Sequence, residues 1–581
     1  MFIGTLIVCL LASASAQPTT SQQDSRDSLG KRQSSSNASA LRVDLGYEIY
    51  DGYVDSQNGL STWKGIRFAA PPIGNLRWQA PQPPLVRRDT VRNASSFGAQ
   101  CPQSQPSGYE NVPTAPGSED CLFLNVYSPP DAKDLPVLVW IHGGGYGLGN
   151  GQQDLSNMMA ANNNTFVGVT IQYRLGAFGF LSSDEVFRKG FVNAGLLDQH
   201  FALQWVQSHI AQFGGNPSHV TVAGISAGAG SVMLQTMAYG GGRGESLFTN
   251  AIAASPFLPK QYGYNDMVPS QSYHAFATAA GCQPDTAYNS LTSVFDCLVS
   301  QNTSVLQAAT ATVSPSGAYG TFAFLPVTDG TFLQELPSRQ LLEKRVNGRN
   351  LMVGNNALEG PLFTPQIITT DDDLLEWVQH ILPYGSSDDL AKVLYYYPGA
   401  TPQKRADDIT AEVTFVCPSY WLAESFSGNG RNAYKYQYSV SPAVHASDLT
   451  AYFGPAAVQQ GPAFVKAFMT IWGNFITNDN PSITAAIVDG SASSNLTANV
   501  AGGNPSTAWP TFSVAYPMQL NLNQSGGVEF STDLMVPGVT LTGYADPGLR
   551  NNFTLDDAYK FDNGRGERCD FWRSLGATVP A

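Results

Sequence analysis

The sequence predicts an α/β fold: a central, mostly parallel sheet flanked by helices within a single large domain. Three observations predict it. Short apolar runs at 136–141, 220–223, 250–254 and 351–354 read as strands buried on both faces. Leu203, Val206, Ile210 and Phe213 recur at helical spacing and predict a helix with one face against that sheet. Between the strand run at 220–223 and a small, apolar, helix-starting stretch at 229–237 stands Gly224-Ile225-Ser226-Ala227-Gly228. Forty-three per cent hydrophobic residues can furnish one large core, and no fixed-period repeat points to a solenoid or propeller.

A G-x-S-x-G at a strand-to-helix junction is the nucleophile elbow of an α/β-hydrolase. Its glycines admit a strained turn that lifts the serine hydroxyl to the carboxyl edge of the sheet, above a helix N-terminus. Ser226 is therefore the candidate nucleophile. Such a serine needs a base, an acid to orient the base, and donors for an oxyanion. The run at 136–141 ends in His142-Gly143-Gly144-Gly145-Tyr146, where consecutive glycines let backbone N–H groups converge on one cavity.

The base follows by elimination. His142, His200, His209 and His219 precede Ser226, whereas this fold runs serine, acid, histidine. His274 leaves no room for an acid-bearing strand, and His380 lies in a helical pattern (374–381) as a surface or groove histidine. His445 follows the alternating strand pattern at 434–440 and is the candidate base. Glu359, just past the run at 351–354, leads as the acid. Asp329 is its rival, with a turn or cap role as the alternative, and Asp448 is too near His445 in sequence to orient its ring from the far side.

With these residues in hand, the chain resembles the type B carboxylesterase/lipase family, the cholinesterase-like branch of the α/β-hydrolases, particularly its secreted fungal members. The resemblance runs from about Gly59 to Trp572. It rests on Gly65-Ile66-Arg67-Phe68-Ala69-Ala70-Pro71-Pro72 with Leu76-Arg77-Trp78, and on Ser118-Glu119-Asp120-Cys121-Leu122-Phe123-Leu124-Asn125-Val126. Asp198-Gln199 leading to Phe213-Gly214-Gly215-Asn216-Pro217, the Gly354-x-Asn356-x-x-Glu359-Gly360 motif and His445-x-x-Asp448-Leu449 are similar to further family motifs. The resemblance implies Ser226, Glu359 and His445 as a catalytic triad, with Gly144, Gly145 and Ala227 as oxyanion donors. It also implies disulfides Cys101–Cys121 and Cys282–Cys297, leaving Cys417 and Cys569 to pair or to stay free. The family usually carries glutamate before the nucleophile, where this chain has Ile225, so the electrostatic support of its triad differs.

Residues 1–16 read as a signal peptide, with an apolar stretch ending in Ala14-Ser15-Ala16. Residues 17–40 are Ser/Gln/Thr-rich and are expected to be disordered, with Lys31-Arg32 as a dibasic processing site; residues 41–581 form the expected catalytic domain. No other apolar run is long enough to span a membrane, and no lipid-anchor tail follows. A formal charge of −14 disfavours nucleic acid and anionic membranes as partners. Sequons at Asn37, Asn93, Asn163, Asn302, Asn495, Asn523 and Asn552 are candidate glycan sites of an extracellular protein. The segment 484–504 reads as a surface loop. No C-x-x-C, H-E-x-x-H, P-loop or dinucleotide fingerprint occurs, so neither metal nor cofactor is expected.

The expected activity is hydrolysis of small to medium carboxylic esters through an acyl-enzyme. Alternatives are a triacylglycerol lipase, an acyltransferase using a metabolite alcohol, and, remotely, a silent binding domain; the last usually lacks a triad member, and here all are present. Between Cys101 and Cys121 lie four prolines and two glycines. Their density leaves little room for the amphipathic helical lid that adsorption to an oil interface requires.

Overall fold

The computed structural model describes residues 41–109, 117–283, 293–489, 503–534, 536 and 538–580. The expected signal peptide, the segment 17–40, Asn37 and Asn495 lie outside the described residues. Among the described residues, eleven strands form the main sheet: β1 (Tyr53–Val54), β2 (Ser61–Arg67), β3 (Phe123–Ser128), β4 (Leu135–Ile141), β5 (Val167–Ile171) and β6 (Gly215–Ile225) come first. They are followed by β7 (Asn250–Ala254), β8 (Asn350–Asn356), β9 (Asn432–Tyr438), β10 (Met518–Ser525) and β11 (Arg550–Asp557). Their spatial order is β11-β10-β9-β8-β7-β6-β4-β5-β3-β2-β1. The pairs from β5 through β10 are all parallel, and antiparallel pairs close both edges. This is the mostly parallel sheet that the sequence predicts.

The apolar runs are continuous because both faces are covered. Along β4, Val137, Val139 and Ile141 enter one core while Leu138 and Trp140 enter the other. β6 and β7 divide in the same way: Val222 and Ala251 face the first core, Ile225 and Ile252 the second. Helix α1 (Ala194–His209) packs Leu196, Leu203 and Val206 into the first core. Helix α5 (Pro462–Asn478) packs Phe464, Phe468 and Trp472 into the second. Between them in sequence come α2 (Ala227–Met237), α3 (Asp371–Ile381) and α4 (Cys417–Ser425).

The helix expected through Phe213 is shorter than its periodicity. α1 stops at His209, residues Ile210–Phe213 form a 3₁₀ turn, and Gly214 at φ 84° ends it in a left-handed conformation suited to glycine. Within the segment expected to be a loop, Ala485–Val488 is a short helix, and 490–502 lie outside the described residues. Three disulfides tie the fold: Cys101–Cys121, Cys282–Cys297 and Cys417–Cys569. The last resolves the open question of the remaining two cysteines, joining α4 to the C-terminal helix Phe561–Ser574 across 152 residues. Among the described residues, no helix is long and apolar enough to cross a membrane.

Asp198 of α1 is fully buried and accepts from Arg174 three times, from Nε and Nη2 at 2.7 Å each and from the backbone N–H at 3.1 Å. Arg174 follows β5, so the pair locks α1 to the sheet. Removing one partner strands a buried charge, so Asp198→Ala should cost about 3–5 kcal/mol in denaturant unfolding. A loss below about 1 kcal/mol would show that the pair contributes little.

Candidate active site

β6 ends at Ile225 and α2 begins at Ala227, so Ser226 alone makes the turn, at φ 57° and ψ −126°. A non-glycine residue there is strained, and the turn persists because its neighbours hold it. Its N–H donates to the Ala254 carbonyl at 3.0 Å, and its own carbonyl accepts from Phe257 at 3.1 Å. The flanking glycines have a steric reason. A Cβ on Gly224 would lie 2.4 Å from the Gly228 carbonyl carbon, and one on Gly228 would lie 2.2 Å from the Ile141 oxygen.

The Ser226 hydroxyl donates to His445 Nε2 at 2.9 Å, and His445 Nδ1–H donates to Glu359 Oε2 at 2.5 Å. The three expected residues thus meet although 219 residues separate the serine from the histidine. Two parallel strands bring them there. Glu359 follows β8 and His445 follows β9, and an isolated bridge between Leu358 and Val444 clips the two loops together. Glu359 is fully buried; its other oxygen accepts from Ser255 Oγ and from the Asn356 N–H, both at 2.6 Å. Phe363 and Phe415 pack on the His445 ring, with centroids 5.0 and 4.4 Å away.

The rival acids have other partners. Asp329 accepts from the backbone N–H groups of Thr331 and Leu333 and from Asn193 Nδ2, which is a turn role. Asp448 is fully buried and accepts from Asn356 Nδ2 at 3.1 Å; that amide also donates to Ser255 Oγ at 3.2 Å. Asp448 therefore stands behind Glu359, linked to it through Asn356 and Ser255. Burial pushes its carboxyl up to about 7; Glu359's charge adds to the rise, while Asn356 and His445 oppose it. Sequence reasoning set Asp448 aside as an orienting acid and did not foresee this place in the network. The His-x-x-Asp spacing was the available signal. Ile225, which departs from the glutamate usual in the resembled family, is buried in the second core with Trp140 and Tyr452.

Gly144 and Gly145, at φ 105° and 63°, adopt left-handed conformations, and together with Ser226 and His445 they line a cavity of about 100 Å³. Ala227 opens α2, where helix N–H groups point out toward the turn. His142 braces the glycine loop: its ring stacks on Tyr173 at 4.5 Å, its Nδ1–H donates to the Gly143 carbonyl at 2.8 Å, and burial pushes it down to about 4. His274 and His380 are exposed on helices, and neither is among the residues lining this cavity. Above the site, Leu534 and Val536 near the hairpin Val528–Asp533/Thr540–Ala545 pack with Leu362 and Val444. Asn93, Asn163, Asn302 and Asn552 are exposed, and Asn523 is half-buried.

Fold and elbow together define an α/β-hydrolase. The Carboxylesterase family model matches residues 51–532, most of the chain, and the protein belongs to that family of carboxylic-ester hydrolases. Lipase 2 of Geotrichum candidum is 30% identical over 509 residues, covering 77% of this chain and 88% of the relative. Carboxylesterase 1D of Rattus norvegicus is 32% identical over 483 residues, covering 73% and 82%. Among solved structures, Aspergillus niger EstA superposes with a TM-score of 0.72 at 27% identity, covering 93% of this chain and 99% of that one.

Asp448 gives the fold a pH dependence. Its carboxyl titrates at about 7 in the folded chain against an ordinary 3.8, so the folded state binds its proton more tightly. The resulting stabilisation is complete below about pH 3.8 and is lost as pH rises through about 7. Asp448→Asn cannot ionise and keeps an acceptor for Asn356. Its melting temperature relative to the parent should therefore rise between pH 4 and 8, whereas parallel curves would refute the shift.

Proposed function

We propose that the protein is a secreted serine esterase that hydrolyses small to medium carboxylic esters through an acyl-enzyme. The observation that carries this reading is the Ser226–His445–Glu359 relay, at 2.9 and 2.5 Å, on a strained elbow. As Ser226 Oγ attacks the ester carbonyl, neutral His445 takes its proton at Nε2, and Glu359 stabilises the imidazolium through Nδ1–H. The N–H groups of Gly144, Gly145 and Ala227 receive the oxyanion; these donors help because they are fixed before charge develops. His445 then protonates the departing alcohol. Water, deprotonated by the same imidazole, releases the acid and restores the serine.

Three disulfides and the apolar run at 1–16 support export to an oxidising compartment. The exposed sequon asparagines, Asn93, Asn163, Asn302 and Asn552, remain the favoured glycan sites, with Asn37, Asn495 and Asn523 as further candidates. In the loop closed by Cys101–Cys121, the described residues 101–109 and 117–121 contain no helix, and 110–116 lie outside them. That composition favours an esterase over an interfacial lipase.

With purified protein and p-nitrophenyl butyrate, Ser226→Ala should lower kcat/KM by about 10⁴-fold or more while leaving the far-UV spectrum unchanged. Rate against tributyrin concentration should saturate below the solubility limit and show no jump beyond it. Near-full turnover by the alanine variant would remove Ser226 from the mechanism, and strong activation by an emulsion would favour a lipase.

A further inference from the structure

A second, larger cavity of about 460 Å³ adjoins the one at the serine, and Phe257, Phe322 and Phe363 line both. The two spaces therefore share an aromatic wall. Phe257 is tied to the elbow by its N–H to the Ser226 carbonyl, and Phe363 packs on His445, so this wall belongs to the site. The volume lies in the range of sites that take drug-sized ligands. Its lining is largely apolar, and no Asp or Glu is among the lining residues described.

One ammonium breaks that surface. Lys260 stands three residues after Phe257, lines the cavity, and donates from Nζ to the backbone carbonyl of His380 on α3. A neutral carbonyl leaves two of its N–H bonds and its whole charge for another acceptor. Burial alone pushes the ammonium down to about 8, with no carboxylate opposing the fall. Lys260 is half-buried and no carboxylate lines the cavity beside it, so an anionic ligand group there would meet an uncompensated charge.

We propose that the larger cavity receives the apolar limb of the ester and that Lys260 reads a carboxylate at the far end of that limb, so that the preferred substrates are amphiphilic hemiesters. Lys260 is then a specificity-determining residue. The inference rests on Ser226 being the reacting centre. It adds a substrate class that the triad alone does not specify.

The test uses two series of p-nitrophenyl esters matched in chain length, one of neutral monoacids and one of dicarboxylic acids ending in a free carboxylate. The parent enzyme should show, at an intermediate length, a kcat/KM for the hemiester about tenfold or more above its neutral partner, as one charge-assisted hydrogen bond allows. Lys260→Met should abolish that ratio and leave p-nitrophenyl acetate turnover unchanged, while Lys260→Arg should keep most of it. Equal ratios for parent and Lys260→Met at every length would overturn the proposal while leaving the esterase reading intact. If the parent turned over no ester at all, that reading would fail by itself. Calorimetric binding of the free dicarboxylates to parent and Lys260→Met would then decide the cavity's role, with equal affinities counting against it.

Discussion

The structure depends on one unfavourable backbone conformation, that of Ser226 between β6 and α2. A serine at φ 57° and ψ −126° stays there only because the surrounding chain leaves no alternative. β6 is clamped between parallel neighbours β4 and β7, so its last residue cannot shift along the sheet. α2 then starts so close to β4 that Gly228 has no room for a Cβ. Strand and helix together force the turn, and the turn presents the hydroxyl. Relaxing either neighbour would lower the strain and misplace the hydroxyl.

The partners of that hydroxyl come from the same architecture. In a parallel sheet all central strands end at one edge, so loops after β8 and β9 converge on the loop after β6. Glu359 and His445 ride on those loops. Their alignment is fixed by Ser255, by the Asn356 N–H and by the bridge between the two loops, while Phe363 and Phe415 cover the imidazole. In the proposed mechanism, such a dry, pre-set relay spends little reorganisation on proton transfer. The absence of a glutamate before Ser226 fits this arrangement: Ile225 turns away into an aromatic core, and the buried carboxyl of Asp448 remains behind Asn356.

Much of this was legible in the chain because the relevant signals are local. The runs at 136–141, 220–223 and 250–254 are mostly apolar, since both sheet faces are buried, and the structure places strands at Leu135–Ile141, Gly215–Ile225 and Asn250–Ala254. The G-x-S-x-G spacing encodes a steric contact, and the order of serine, acid and histidine left few histidines to choose from. What stayed hidden depends on distant contacts. The pairing of Cys417 with Cys569 requires α4 and the C-terminal helix to meet. The early end of α1 is set by a glycine that must turn left-handed, against a periodicity that runs on to Phe213. Asp448 reads in sequence only as too near His445 to orient its ring, because its partner, the Asn356 amide, is brought to it by strand pairing. The large cavity and its lone ammonium are assembled from loops for which no pattern in the sequence gives a position.

The central claim is that Ser226 alone is the activated nucleophile, and a phosphorylating ester tests it most directly. Diethyl p-nitrophenyl phosphate should inactivate the enzyme with release of one equivalent of p-nitrophenolate per chain. The diethylphosphoryl mass should reside on the peptide containing Ser226, with no burst from Ser226→Ala. An adduct on any other residue, or full ester turnover after Ser226 is labelled, would contradict the account.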